Sequence, residues 1–316
     1  MKYFDNVNTL YKAINDSGYV ADKKMVYSIW FAHKLNKAIL LQGPPGVGKT
    51  EIAKVVSNIV NGKDPIRLQM YEGIDSSQAL YDWDYKKQLL YIESTKDKTE
   101  WNDIESNIYS KDFLLTRPLL KSIISDTKEV ILIDEIDKSD EEFESMLLEF
   151  LAEWQITILE DETIKAKTKP ICFITSNDKR ELSEALLRRC ITIFLDYPTM
   201  EQEIDIIMKK VPSINDLVAT QIVSFVNLLR EQKLKKIPSI AESIDWALTL
   251  VEIGANYVDK DVVLNTLNIL LKYKKDIEYI EDNIERLISK IPQKPIEIDK
   301  EKTIDIEEIK NVNWDF

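Results

Sequence analysis

Histidine, cysteine and glycine are all scarce in this chain, whose 316 residues hold one, two and seven of them. The lone His33 cannot by itself form a metal cluster or a catalytic triad, and it reads as a surface or helix-packing residue. Cys172 and Cys190 lack metal-ligand spacing and lie in apolar or basic contexts, so they read as buried reduced thiols. No apolar run approaches the roughly 18 residues of a membrane span, and no N-terminal apolar signal is present. A cytoplasmic protein without membrane contact is therefore expected. Basic charge is short as well: 42 Lys+Arg stand against 55 Asp+Glu, a formal net charge of -13. That balance disfavours a nucleic-acid role and fits a protein partner better. What remains is a soluble globular composition, 44% hydrophobic and 31% charged, in a chain long enough for two domains.

Three of the seven glycines fall in one segment, Gly43-Pro44-Pro45-Gly46-Val47-Gly48-Lys49-Thr50. It fits G-x-x-x-x-G-K-[ST] at every fixed position. It follows an apolar run, Ala38–Leu41, and opens a helical pattern beginning at Glu51, the context that makes such a loop a P-loop. The glycines let backbone N–H groups converge on phosphate oxygens, and the helix N-terminus adds its positive end. Lys49 can reach the β- and γ-phosphates of a bound nucleotide, and the Thr50 hydroxyl can ligate Mg²⁺.

Around this loop the chain reads as α/β. Helical spacing covers the N-terminal residues and then about Asp22 to Leu35, with a break at Asp16-Ser17-Gly18. Ile66–Met70 alternates like a short strand, and Ser76–Tyr81 suggests a helical turn. Lys86–Glu93 alternates again, which predicts a hairpin. Val130–Ile133, Ile171–Ile174 and Ile191–Leu195 are short β-branched runs of the kind that form buried parallel strands. Glu141–Trp154 is helical, and Gln155–Lys167 holds two strand-like pieces, a second candidate hairpin. Strands alternating with helices predict a parallel sheet covered on both faces, a three-layer αβα core. After Tyr197-Pro198 only helical patterns continue. The expected domains are 1–197, a helical lid over 198–285 and an acidic tail over 286–316, in which Trp314 and Phe316 are candidate anchors.

Asp134-Glu135 ends the Val130–Ile133 strand, and carboxyl ends of parallel strands face the ligand crevice. Asp134 is placed to hold Mg²⁺ and Glu135 to act as base for an attacking water. Asn177, after the Ile171 strand, lies beside the same crevice, where a neutral amide can bond the γ-phosphate or the water. Arg188 and Arg189 read either as surface charge or as an arginine finger acting on a neighbouring subunit's site.

The order of P-loop, Asp134-Glu135, Asn177, arginine pair and helical lid resembles the AAA+ ATPases. Within them the chain is similar to the MoxR family, CoxD-like group. The stretches that carry this likeness are Arg67–Gly73, Ala79–Trp83, Gln88–Leu90, Phe113–Leu120, Asp134–Phe150, Thr175–Asn177, Leu187–Cys190 and Pro238–Ala247. The resemblance runs from Tyr19 to about Asp276. It implies a ring, usually a hexamer, with ATP and Mg²⁺ between subunits. It also implies hairpin inserts near 85–93 and 156–167, and adenine contacts at Tyr19 and Val20. The implied role is chaperone-like remodelling of a protein client beside a partner with a von Willebrand factor A domain. One departure stands out: where many AAA+ lids carry a sensor 2 arginine, this chain has Ser239, Ile240 and Ala241. Lys235 or Lys236 are the nearby cations. Two other functions stay open, a nucleotide-gated scaffold with little turnover and a nucleic-acid-directed motor.

Overall fold

A computed structural model describes residues 3–95, 107–158 and 162–295. The chain divides into two compact units, Met1–Tyr197 and Pro198–Phe316. Trp314 and Phe316 lie outside the described residues.

The first unit opens with helices α1 (Val7–Asp16) and α2 (Lys23–Leu35). Asp22 caps α2 by accepting from the Met25 N–H at 2.6 Å, and Asn36 ends it in the left-handed region. Strand β1 (Ala38–Gln42) follows, then α3 (Lys49–Asn61), β2 (Ile66–Gln69), the short α4 (Ser76–Ala79), β3 (Tyr81–Trp83) and α5 (Tyr85–Thr95). Beyond the next gap in the described residues come β4 (Leu114–Thr116), α6 (Pro118–Ile124), β5 (Val130–Asp134) and α7 (Glu141–Glu153). The unit closes with β6 (Gln155–Ile158), β7 (Glu162–Lys165), β8 (Ile171–Ser176), α8 (Glu184–Leu187) and β9 (Cys190–Phe194).

Five of these strands form one sheet in the order β2-β5-β8-β1-β9, every pairing parallel. β5 and β8 are buried along their whole length, as strands covered on both faces must be. Leu40, Ile131, Ile133 and Ile174 pack with Leu119 and Leu120 of α6 and with Phe143, Leu147 and Phe150 of α7. Their alternates Ile39, Leu41, Leu132 and Phe173 point to the opposite face and are equally buried. Helices α2 and α3 contact the strands as well, so the sheet is the middle layer of three. Cys172 and Cys190 are free buried thiols, and burial pushes Cys190 up to about 12.

One of the two expected hairpins needs correction. Residues 85–93 are not a hairpin: they lie within α5, whose first turn is fixed by Asp84, the acceptor for the Lys87 N–H at 3.0 Å. The antiparallel pair in this region is β3 with β4, in register Tyr81↔Thr116 and Trp83↔Leu114. At the second predicted hairpin, β6 and β7 pair with Ile156 opposite Ile164.

The second unit is helical: α9 (Met200–Lys210), α10 (Asp216–Arg230), α11 (Ile240–Glu252), α12 (Lys260–Leu270) and α13 (Lys274–Ile288). Its core centres on Phe225 and Trp246, whose ring centroids lie 5.5 Å apart. The indole N–H of Trp246 donates to Thr266 Oγ1 at 2.7 Å, which satisfies its one polar atom. The tail boundary expected at 286 falls inside α13. Ile280, Ile284 and Leu287 are buried along one face of that helix, and Ile291 extends the same core, so burial carries the folded unit past 286.

Candidate active site

The loop between β1 and α3 is shaped by its glycines. Gly43, Gly46 and Gly48 all have positive φ, of 148°, 78° and 93°. At Gly43 a Cβ would lie 2.0 Å from the Leu195 carbonyl oxygen, so no side chain fits. Gly48 caps α3, and Lys49 is its first residue. The Lys49 side chain folds back into this turn. Its ammonium donates to the carbonyls of Gly43 (2.6 Å) and Pro44 (2.8 Å) and to Asn177 Oδ1 (2.8 Å). Burial lowers its pKa, while the carboxylates of Asp137, Asp178, Asp134 and Glu135 pull the other way.

Opposite the loop, β5 ends in Asp134 and hands over to Glu135, which sits in the left-handed region at φ 61°, ψ 50°. Asp134 is 4% exposed. Its Oδ1 accepts from Thr175 Oγ1 (2.6 Å) and from Thr50 Oγ1 (3.3 Å). Among the described residues no group of three or more His, Cys, Asp or Glu side chains could hold a metal. Thr50 and Asp134 together still offer adjacent hard oxygens, which suits Mg²⁺, an ion that takes most of its ligands from phosphates and water. The Glu135 carboxylate pairs with Lys138 Nζ at 2.5 Å and accepts from Gln69 Nε2 (3.0 Å) and Asn177 Nδ2 (3.3 Å). Lys138 rises in pKa through that bond.

Asn177 thus touches both sides of the crevice, and its backbone N–H is fixed by the buried Asp137 at 3.2 Å. Tyr19 is also brought in: its ring and hydroxyl stand about where a Cβ on Gly48 would make ordinary contact, at 3.5 Å. Burial raises its pKa, with Glu51 and Asp22 adding to the effect. Val20 follows it and is half-buried. Arg188 and Arg189 are not brought in. They precede Cys190, which pairs with Ala38 at the amino end of β1, whereas the loop leaves the carboxyl end after Gln42. Four strand residues at about 3.3 Å each separate the two ends, roughly 13 Å. Arg188 pairs instead with the exposed Glu184 at 2.9 Å, and Arg189 donates to the Ala185 carbonyl.

Three further residues complete the crevice without having been singled out for a role by sequence reasoning: Arg67, Gln69 and Lys138. The available signal was register. Gln69 lies beside Asp134 in the β2–β5 ladder, and Arg67, two residues earlier, shares its face. In the helical unit the two lysines near the missing arginine are already engaged, Lys236 with Glu242 at 3.0 Å and Lys235 over the Tyr273 ring at 3.9 Å.

Residues 38–190 match the family model described as AAA domain, dynein-related subfamily. Over this segment, just under half of the chain, the protein is similar to an AAA domain. The segment spans β1 through the first residue of β9, and so contains the loop, Asp134, Glu135, Asn177 and both arginines. No curated protein matches the chain. Among solved structures it is similar to a mutant of RuvB from Thermotoga maritima, at 18% identity and TM-score 0.48, over 84% of this chain and 75% of that one. It is also similar to a candidate ATPase from Cytophaga hutchinsonii, at 18% identity and TM-score 0.47, over 92% and 96% of the two chains. Among the described residues no helix is long and apolar enough to cross a membrane.

Proposed function

We propose that this chain is a Mg²⁺-dependent ATPase of the MoxR family, CoxD-like group, coupling turnover to remodelling or maturation of a protein client. The observation that carries the hydrolytic part is Asn177, whose amide joins Lys49 at 2.8 Å to Glu135 at 3.3 Å. Phosphate-binding cation, water-polarising amide and base thereby share one crevice. In this reading the N–H groups from Gly43 to Thr50 cradle the phosphates, and Lys49 exchanges its carbonyl partners for phosphate oxygens. Thr50 and Asp134 hold Mg²⁺, which neutralises phosphate charge. Glu135 takes the proton of the attacking water, and Tyr19 and Val20 flank the adenine. The distance of Arg188 and Arg189 from their own loop supports service in a neighbouring subunit of a ring, with six subunits as the expected number. The β6–β7 hairpin is a candidate client contact. A protein with a von Willebrand factor A domain is the expected partner, and a net charge of -13 supports a protein over nucleic acid.

The test is steady-state ATPase activity as a function of Mg²⁺ and protein concentration. The rate per subunit rises with assembly. Glu135→Gln lowers turnover by about a hundredfold or more while nucleotide still binds, and Arg188→Ala or Arg189→Ala lowers it only in the assembled state. Unchanged turnover in Glu135→Gln would remove the hydrolytic reading. A second reading, a nucleotide-gated scaffold, is favoured by the three donors already on the Glu135 carboxylate, which hold it away from a water. It gains the argument if assembled wild type binds ATP and turns over no faster than Glu135→Gln.

A further inference from the structure

Arg67, like Lys138, is a crevice cation to which the reaction scheme above gives no work. It sits in β2, an edge strand of the sheet, and its side chain is 53% exposed. Its guanidinium nonetheless reaches inward, and Nη2 pairs with Asp134 Oδ2 at 2.5 Å. That carboxylate is buried, and its two oxygens have different partners. Oδ1 is held by Thr175 at 2.6 Å and faces Thr50 at 3.3 Å. Oδ2 is held by Arg67 and faces Thr50 at 3.5 Å. A cation seated between Thr50 and Asp134 therefore meets an oxygen already claimed by a permanent positive charge.

We infer that Arg67 is an internal competitor of the metal ion for Asp134, and that it sets the Mg²⁺ concentration at which the site fills. This rests on the proposed Mg²⁺–nucleotide site. While the site lacks metal, the guanidinium neutralises a carboxylate that would otherwise be buried and unpaired, a costly state. A divalent ion makes the guanidinium redundant, and a half-exposed arginine returns to solvent with little penalty. Its departure is also felt further on. The same Nη2 donates to Gln69 Oε1 at 2.6 Å, and Gln69 Nε2 donates to Glu135 Oε2 at 3.0 Å. Metal arrival at Asp134 thus removes one of the bonds that orient the amide holding Glu135. Arg67 and Gln69 form a two-residue relay from the metal-binding acid to the base, carried on one face of a single strand.

The experiment measures binding of a fluorescent ATP analogue to the full chain across a Mg²⁺ titration, for wild type, Arg67→Gln and Arg67→Lys, with an EDTA arm. The half-saturating Mg²⁺ concentration falls about three- to tenfold in Arg67→Gln, the range for loss of one ordinary hydrogen bond to the Asp134 carboxylate, the charge being screened by solvent at a half-exposed guanidinium. Arg67→Lys keeps the charge, guards against a merely misfolded neutral variant, and falls between the two. Affinity in EDTA stays within twofold of wild type, an expected ratio set by the absence of a direct nucleotide contact. An arginine that merely positions Asp134 gives the opposite sign, so an unchanged or raised Mg²⁺ requirement in Arg67→Gln overturns the inference while leaving the ATP site standing. Wild type that binds no nucleotide with or without metal overturns both.

Discussion

The side-chain carbonyl of Asn177 accepts a hydrogen bond from the Lys49 ammonium at 2.8 Å, tying the end of β8 to the first residue of α3. The other end of the same amide faces Glu135, so one planar group fixes the spacing between the Lys49 ammonium and the Glu135 carboxylate. Asn177→Ala is expected to lower kcat by about a hundredfold, the usual loss for one preorganised donor. The KM for ATP should stay within a few-fold, because the backbone cradle is untouched. Steady-state kinetics check this, and a loss confined to KM would move Asn177 from chemistry to binding.

Gly43 and Gly62 give a matched pair of substitutions. A methyl at Gly43 meets the Leu195 carbonyl oxygen at 2.0 Å, whereas at Gly62, also at positive φ, it meets open space. Gly62→Ala should cost about 1–2 kcal/mol, the left-handed penalty alone. Gly43→Ala adds overpacking of about 1–3 kcal/mol and distorts the phosphate loop. Urea unfolding followed at two wavelengths, with nucleotide binding beside it, should rank the two variants in that order. Equal midpoints would show that the loop yields at no cost.

In the helical unit, Arg230 and Glu203 form a two-pronged pair at 2.6 and 2.9 Å with side chains 9% and 0% exposed. Arg230 Nε also donates to the Pro238 carbonyl, and Ser243 donates to Glu203 Oε1 at 2.8 Å. Removing one partner strands a buried charge, so Arg230→Met should destabilise this unit by about 3–5 kcal/mol. The double change Arg230→Met with Glu203→Leu should recover a large part of that loss. Denaturation of the three variants decides it, and additive losses would mean that the pair itself is not the source.

His33 makes the fold sensitive to mild acid. Burial, with Lys128 and Lys34 nearby, lowers its pKa from 6.5 to about 4, and its ring packs edge-on to Phe4 at 4.6 Å. Between those values the unfolded chain takes up a proton that the folded chain refuses, so stability falls as pH drops through that window and levels off below it. His33→Gln should lose less Tm than wild type between pH 7 and pH 4.5, two values chosen about the window. Parallel melting curves would place the acid sensitivity elsewhere.

How much of this was legible in the sequence depends on whether a position is dictated by chemistry or by packing. That Gly43–Thr50, Asp134-Glu135 and Asn177 meet in one crevice could be read because all three lie at the carboxyl ends of neighbouring parallel strands. Arg67 and Gln69 could not be given roles, since an alternating strand announces its faces but not its neighbour, and only the β2–β5 register puts them beside the acids. Residues 85–93 misled because Leu89 and Leu90 are exposed, so their spacing reports no buried face. The capping Asp84 was the better clue. The end of the helical unit was missed for the reverse reason: Ile280, Ile284 and Leu287 mark a buried stripe inside a segment whose acidic residues drew more notice.

Glu135 stands in the left-handed region at φ 61° without being glycine or asparagine. For such a residue that conformation costs about 1–2 kcal/mol. It also turns the chain at the end of β5, where the carboxylate meets Gln69, Asn177 and Lys138. Anyone selecting this protein for sturdiness alone would be led to Glu135→Gly, which relieves the backbone and discards the proposed base. On the proposed hydrolytic reading, robustness and catalysis ask for different residues at this position.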